Sequence, residues 1–202
     1  MPKPVLDFWF DFASVYSFLT SMRIAQLAAE AGVEIRWRPF LLGPIFQSQG
    51  MKDSPFNLFP VKGQHMIRDV TRTAEEIGVG FQWPDHFPQS AVPASRVALV
   101  GLQEGWGEDF SRAIFRAEYV DNRVISDQAV IASVLTHLKV PVDATFAKAQ
   151  SDAIKSKLRD QTADAQARGF FGAPTFTTAS GEMFWGNDRL EQALRWAVRE
   201  GA

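Results

Sequence analysis

Three short segments hold the side chains best placed to do chemistry. In Asp11-Phe12-Ala13-Ser14 a serine follows an apolar run and stands just before a helical pattern. It either caps that helix, accepting an N–H of the first turn, or stands where unpaired N–H groups and the positive end of the helix dipole stabilise an anion. In Gly172-Ala173-Pro174-Thr175, a cis Ala173–Pro174 bond would turn the backbone of residue 173 toward the Ser14 loop, whereas a trans proline would merely open a strand. In Trp185-Gly186-Asn187-Asp188, Asn187 reads as the cap of a last helix and Asp188 as a first-turn carboxylate complementing its dipole. Alternatively that carboxylate and the free N–H groups beside it hold an amino-acid head group.

Composition removes most other chemistries. The 202 residues include no cysteine, so disulfides, thiolate metal sites and cysteine nucleophiles are all excluded. His65, His86 and His137 lie far apart with no recognised ligand spacing, so no metal site is expected. No Gly-x-Ser-x-Gly elbow is present, although a spatial pairing of Ser14 with His65 stays open. Gly78-Val79-Gly80 lacks the remainder of a dinucleotide fingerprint. A formal charge of −2 without a basic run gives no footprint for nucleic acid. Asp7 and Asp11 interrupt the first apolar run, which is too short and acidic for a signal-peptide core, and no apolar stretch reaches the roughly 18 residues of a membrane span. The expectation is a cytoplasmic protein without membrane or nucleic-acid partners.

The elements that must position these segments follow from periodicity. Val5 to Phe10 reads as a buried strand, and Phe18, Leu19, Met22, Ile24, Ala25, Leu27 and Ala28 as a helix stopped by Gly32. Val33 to Pro39 alternates as a second strand, and a connection of this length makes the pair parallel. The stretch from Phe40, with Gly43-Pro44, Gln49-Gly50, Ser54-Pro55 and Pro60, reads as a loop. Helical segments follow at about 62–77, 92–104, 108–119, 126–138 and 143–168. Residues 173–177 and 182–185 bracket Ser180-Gly181 as a hairpin, and a last amphipathic helix carries Leu190, Ala193, Leu194 and Ala197. The fold class is therefore α/β: a thioredoxin-like β-α-β/β-β-α frame, residues 1–44 and 166–202, hosting a large all-helical insertion, residues 45–165.

Taken together, residues 11–17, the stretch from Asn57 to Lys62-Gly63, Gly172-Ala173-Pro174-Thr175 and residues 185–190 resemble one family. It is that of the 2-hydroxychromene-2-carboxylate isomerases, relatives of kappa-class glutathione transferases and of DsbA-like oxidoreductases. The resemblance spans essentially the whole chain. It implies a cis Ala173–Pro174 bond and glutathione as cofactor. Ser14 takes the place of a redox cysteine and contacts the glutathione sulfur; Ala173, before the cis-proline, pairs its backbone with the glutathione cysteine. Trp185, Gly186, Asn187 and Asp188 form the segment in which Asn187 and Asp188 receive the γ-glutamyl end, and Lys62 reaches the glycine carboxylate. Val15 stands where many members carry proline, and Asp53 where they carry asparagine nine residues before the lysine, so that either Asn57 does its work or the substrate differs. Phe87 falls near an aromatic that touches the organic substrate.

A free thiol of this kind ionises near pH ~8.5, so the implied task of Ser14 and the helix start is to favour the thiolate. The resemblance implies cis–trans isomerisation of a small aromatic oxo-acid in aromatic catabolism, by a homodimer. A kappa-like transferase that conjugates glutathione to electrophiles, or a glutathione-binding domain without catalysis, are the alternatives.

Overall fold

The computed structural model describes residues 3–201. Strand β1 (Val5–Phe10), helix α1 (Val15–Ala31) and strand β2 (Glu34–Pro39) form a parallel unit in which Phe8 pairs with Trp37. Gly32, in the left-handed region at φ 69°, ends α1 and lets the chain reverse. Strands β3 (Thr175–Thr178) and β4 (Met183–Trp185) add antiparallel to the other edge of β1, giving the order β2-β1-β3-β4. A 3₁₀ turn (Asn187–Arg189) leads into the final helix, α10 (Leu190–Gly201). This is the expected thioredoxin-like frame. No helix among the described residues is long and apolar enough to cross a membrane.

Between β2 and β3 lie α2 (Leu42–Ser48), α3 (Pro55–Leu58), α4 (Pro60–Glu76), α5 (Val92–Glu104), α6 (Gly107–Tyr119), α7 (Gln128–His137), α8 (Val142–Ala149) and α9 (Asp152–Ala167). Two expectations are corrected here. The stretch after Phe40, read as a loop, contains α2 and α3, and Leu42 and Ile45 are buried. Its Gly-Pro and Ser-Pro pairs are turn signals in isolation, but Pro55 sits in the first turn of α3, where a missing N–H costs nothing, and Ser54 caps it by accepting from Phe56 N–H. The single helix expected over 143–168 is two, divided where Ser151 starts α9 by accepting from Ile154 N–H at 3.4 Å. Smaller differences are at ends: α1 begins at Val15 rather than Phe18, and α4 at Pro60 rather than 62.

Alternation in β1 places Leu6, Phe8 and Phe10 on one face and Trp9 on the other. The first face joins a core that runs into the helices: Phe12 packs on Phe115 of α6 at 4.9 Å between ring centroids, and the Tyr119 hydroxyl donates to the Phe12 carbonyl at 2.8 Å. Trp9 packs on Phe40 and Phe170 beside α2 and α9, and its indole N–H donates to Thr177. The turn from β1 to α1 is thus clamped from both sides.

Candidate functional site

Asp11 folds the turn that carries Ser14. One carboxylate oxygen accepts from Ala13 N–H at 3.0 Å and the other from Leu42 N–H at 2.6 Å, so the same side chain also starts α2. Asp11 is only 3% exposed, and burial pushes its pKa up to about 6 against the lowering effect of those two N–H donors. Ser14 caps α1: its Oγ accepts from Ser17 N–H at 3.1 Å. The same hydroxyl donates to the Ala173 carbonyl at 2.8 Å, across 159 positions of sequence. Cap and cross-chain contact are therefore one atom.

The Ala173–Pro174 bond is cis, and the Pro174 carbonyl accepts from Gly186 N–H at 3.0 Å. Among the described residues nothing accepts the Ala173 N–H, and the N–H groups of Val15 and Tyr16 at the start of α1 are likewise unpaired. All three residues line a cleft of about 770 Å³ with Asp11 and Ser14. Its other walls are largely apolar, with Phe46, Phe56, Phe87 and Phe171 projecting from four separate segments. Phe87 packs edge-on against Phe56 at 5.0 Å.

Tyr16, Ala173 and Trp185 form a ridge between this cleft and a second one of about 720 Å³, lined by Gly186, Asn187 and Asp188. Trp185 is half-exposed and rests on Phe171 at 4.8 Å. Gly186 has φ 111°, a conformation open essentially to glycine, and a Cβ there would meet the Asp188 carboxylate at 2.5 Å. Asp188 is largely exposed and pairs with Arg189 at 2.9 Å. Tyr16 donates to Asp69 of α4 at 2.9 Å; burial first, then that bond to a carboxylate, holds its phenol above the ordinary range.

The remaining expected residues are spread. Lys62 and Asp53 line the main cleft; the Lys62 ammonium lies 5.7 Å from the Phe59 ring centre. Asn57 does not line the main cleft, and its side-chain N–H donates to Asp53, which does, at 3.0 Å. Pro174 lines neither of these clefts, and its carbonyl holds the Gly186 N–H at 3.0 Å. His65 shares the main cleft with Ser14, but no hydrogen bond joins them. Asn187 does not cap the last helix: its Oδ1 accepts from Thr20 and Arg23 instead, because the 3₁₀ turn rotates it inward against α1. Asp11, Tyr16 and Arg23 were not singled out as functional from the sequence. For Asp11 a signal existed, an acid between Phe10 and Phe12; Tyr16 and Arg23 carry none until α1 is placed against α4 and the turn.

A model of the DSBA-like thioredoxin domain family matches residues 5–195. The chain is 27% identical to a 2-hydroxychromene-2-carboxylate isomerase of Pseudomonas putida, covering 98% of both. It is 26% identical to glutathione S-transferase kappa 2 of Caenorhabditis elegans, covering 94% of this chain and 90% of the relative. Among solved structures it is similar to a selenomethionine form of 2-hydroxychromene-2-carboxylate isomerase, with a TM-score of 0.86, 26% identity, and coverage of 98% of this chain and 97% of the other.

Proposed function

We propose that this chain, which belongs to the DSBA-like thioredoxin domain family, is a glutathione-dependent enzyme that isomerises a small aromatic oxo-acid such as 2-hydroxychromene-2-carboxylate. The observation that supports this most is the Ser14 hydroxyl held at the start of α1 against Ala173 in a chain without cysteine. With oxygen at this point of the frame, thiol chemistry has to be borrowed.

The unpaired groups suit such a ligand. Ala173 N–H is free to meet a peptide-like backbone, and the N–H groups of Val15 and Tyr16 point to an anion at the head of α1. Val15, where many of the family carry proline, adds an N–H that proline lacks. Lys62 would hold the glycine carboxylate, and Asn187 with Asp188 the γ-glutamyl head group. When bound, glutathione supplies a thiolate that adds to a conjugated carbon and is released again. Ser14 would turn its proton from the Ala173 carbonyl to the sulfur, which favours the ionised form. The aromatic walls would orient a flat substrate and exclude water.

Product analysis tests the reading: many molecules isomerised per glutathione are expected, with the thiol recovered. Consumption of glutathione mole for mole would instead establish conjugation, the reading favoured by a kappa transferase relative at the same level of identity. Binding without either product would leave a glutathione-binding domain.

Asp188→Asn is expected to weaken glutathione binding about tenfold or more, because a charge-assisted bond to the ligand ammonium is worth about 1.5–3 kcal/mol. Its exposed pairing with Arg189 adds ~0–1 kcal/mol to stability, so the denaturation midpoint should hardly move. Titration calorimetry beside a denaturant series measures both, and unchanged affinity would remove Asp188 from the ligand site.

A further inference from the structure

Arg23 lies on α1 nine residues after Ser14 and lines the second cleft. Its guanidinium donates from Nε to Asn187 Oδ1 at 3.3 Å, from Nη2 to the Asn187 carbonyl at 3.0 Å, and from Nη1 and Nη2 to Glu191 at 2.7 and 2.9 Å. Thr20 adds a second donor to Asn187 Oδ1 at 3.0 Å. With the Arg23 Nε–H on that oxygen, a flipped amide would turn its own N–H₂ against a guanidinium, which can only donate. The orientation is therefore fixed. Asn187 Nδ2 is left as the polar end with no partner among the described residues, on a side chain that lines the cleft.

We propose that Arg23 is a positioning residue for the amino-acid head group of glutathione: it locks the Asn187 amide so that Nδ2 is presented to the second cleft, and it anchors the turn that carries Asp188. This rests on the glutathione reading above. A planar fork is needed, because one guanidinium reaches a side-chain oxygen, a carbonyl and both oxygens of a carboxylate; an ammonium cannot span them. The pair with Glu191 is partly exposed, 22% and 42% for the two side chains, so fold stability alone gives it little to do.

The test compares glutathione with cysteinylglycine, which lacks the γ-glutamyl group, by calorimetry on the wild-type chain and on Arg23→Gln, Arg23→Lys and Thr20→Val. Wild type is expected to prefer glutathione. Arg23→Gln should weaken glutathione about five- to tenfold, the equivalent of one hydrogen bond or slightly more, and leave cysteinylglycine unchanged. Arg23→Lys should recover little of the loss. Thr20→Val, nearly isosteric, removes the other donor to the same oxygen and should cost roughly threefold with the same ligand selectivity, which keeps the test alive should Arg23→Gln fail to fold. Equal weakening of both ligands in step with a lowered melting temperature, or unchanged glutathione affinity in Arg23→Gln and Thr20→Val, would overturn the inference alone. A wild-type chain that binds no glutathione would overturn the functional reading and this inference together.

Discussion

Replacing Ser14 by alanine is expected to raise the pKa of the bound glutathione thiol by about one to two units, since a hydrogen bond to a charged acceptor is worth about 1.5–3 kcal/mol and one unit about 1.36. Turnover near neutral pH should fall accordingly while glutathione still binds, because the N–H groups of Val15 and Tyr16 and the dipole of α1 remain. The structure adds a stability effect beyond an ordinary cap. Alanine would strip both Ser17 N–H and the Ala173 carbonyl of their partner in a buried setting, a cost of about 1–3 kcal/mol. Ultraviolet titration of the thiolate in both complexes, beside a melt, separates the two effects. Coincident titration curves would leave Ser14 as a structural clamp.

Asp11→Asn is expected to flatten the pH dependence of stability between about pH 4 and pH 6. Burial raises the Asp11 pKa from 3.8 to about 6, so the folded chain binds this proton more tightly than the unfolded one. Its contribution is fully present below pH 3.8 and is lost as pH rises through 6, about 3 kcal/mol in all. Glu118, a fully buried α6 acid pushed well above its ordinary range by burial and then by Asp11, acts in the same direction. Asparagine should also lower stability at every pH, because its N–H₂ would oppose either Ala13 N–H or Leu42 N–H. The slope therefore decides, not the level: denaturant midpoints at pH 4 and pH 7 should differ by markedly less in the variant. Equal slopes would show that the Asp11 proton is not taken up on folding.

The frame was legible because its signals are local. Val5–Phe10 is short, aromatic and β-branched, α1 ends at a glycine, and Ser180-Gly181 marks the hairpin. The region after Phe40 was not, because what starts α2 is the Asp11 carboxylate, 31 positions away, and no window of sequence contains both. The same limit applies to the site. Ser14, Ala173 and the 185–188 segment could be singled out from turn and cap chemistry, with their roles supplied by resemblance. Asparagine before a helix usually caps it, but the 3₁₀ turn rotates Asn187 inward, where Thr20 and Arg23 of a distant helix hold its side chain. Asn57 was a candidate by resemblance alone, and only the structure shows its side-chain N–H bonded to Asp53, four residues earlier.

The aromatic core shared by β1 and α6 bears on how a substrate reaches Ser14. Phe10, Phe12 and Phe115 pack as one group, and Tyr119 is bonded to the backbone two residues before Ser14. Bodies joined by a large apolar interface do not hinge apart as units. Much of the lining of the main cleft comes instead from residues within 46–56 and 87–92, outside that aromatic group. Exchanging those segments should retune which molecules enter, while engineering the junction between sheet and helices would unfold the chain before it opened a door.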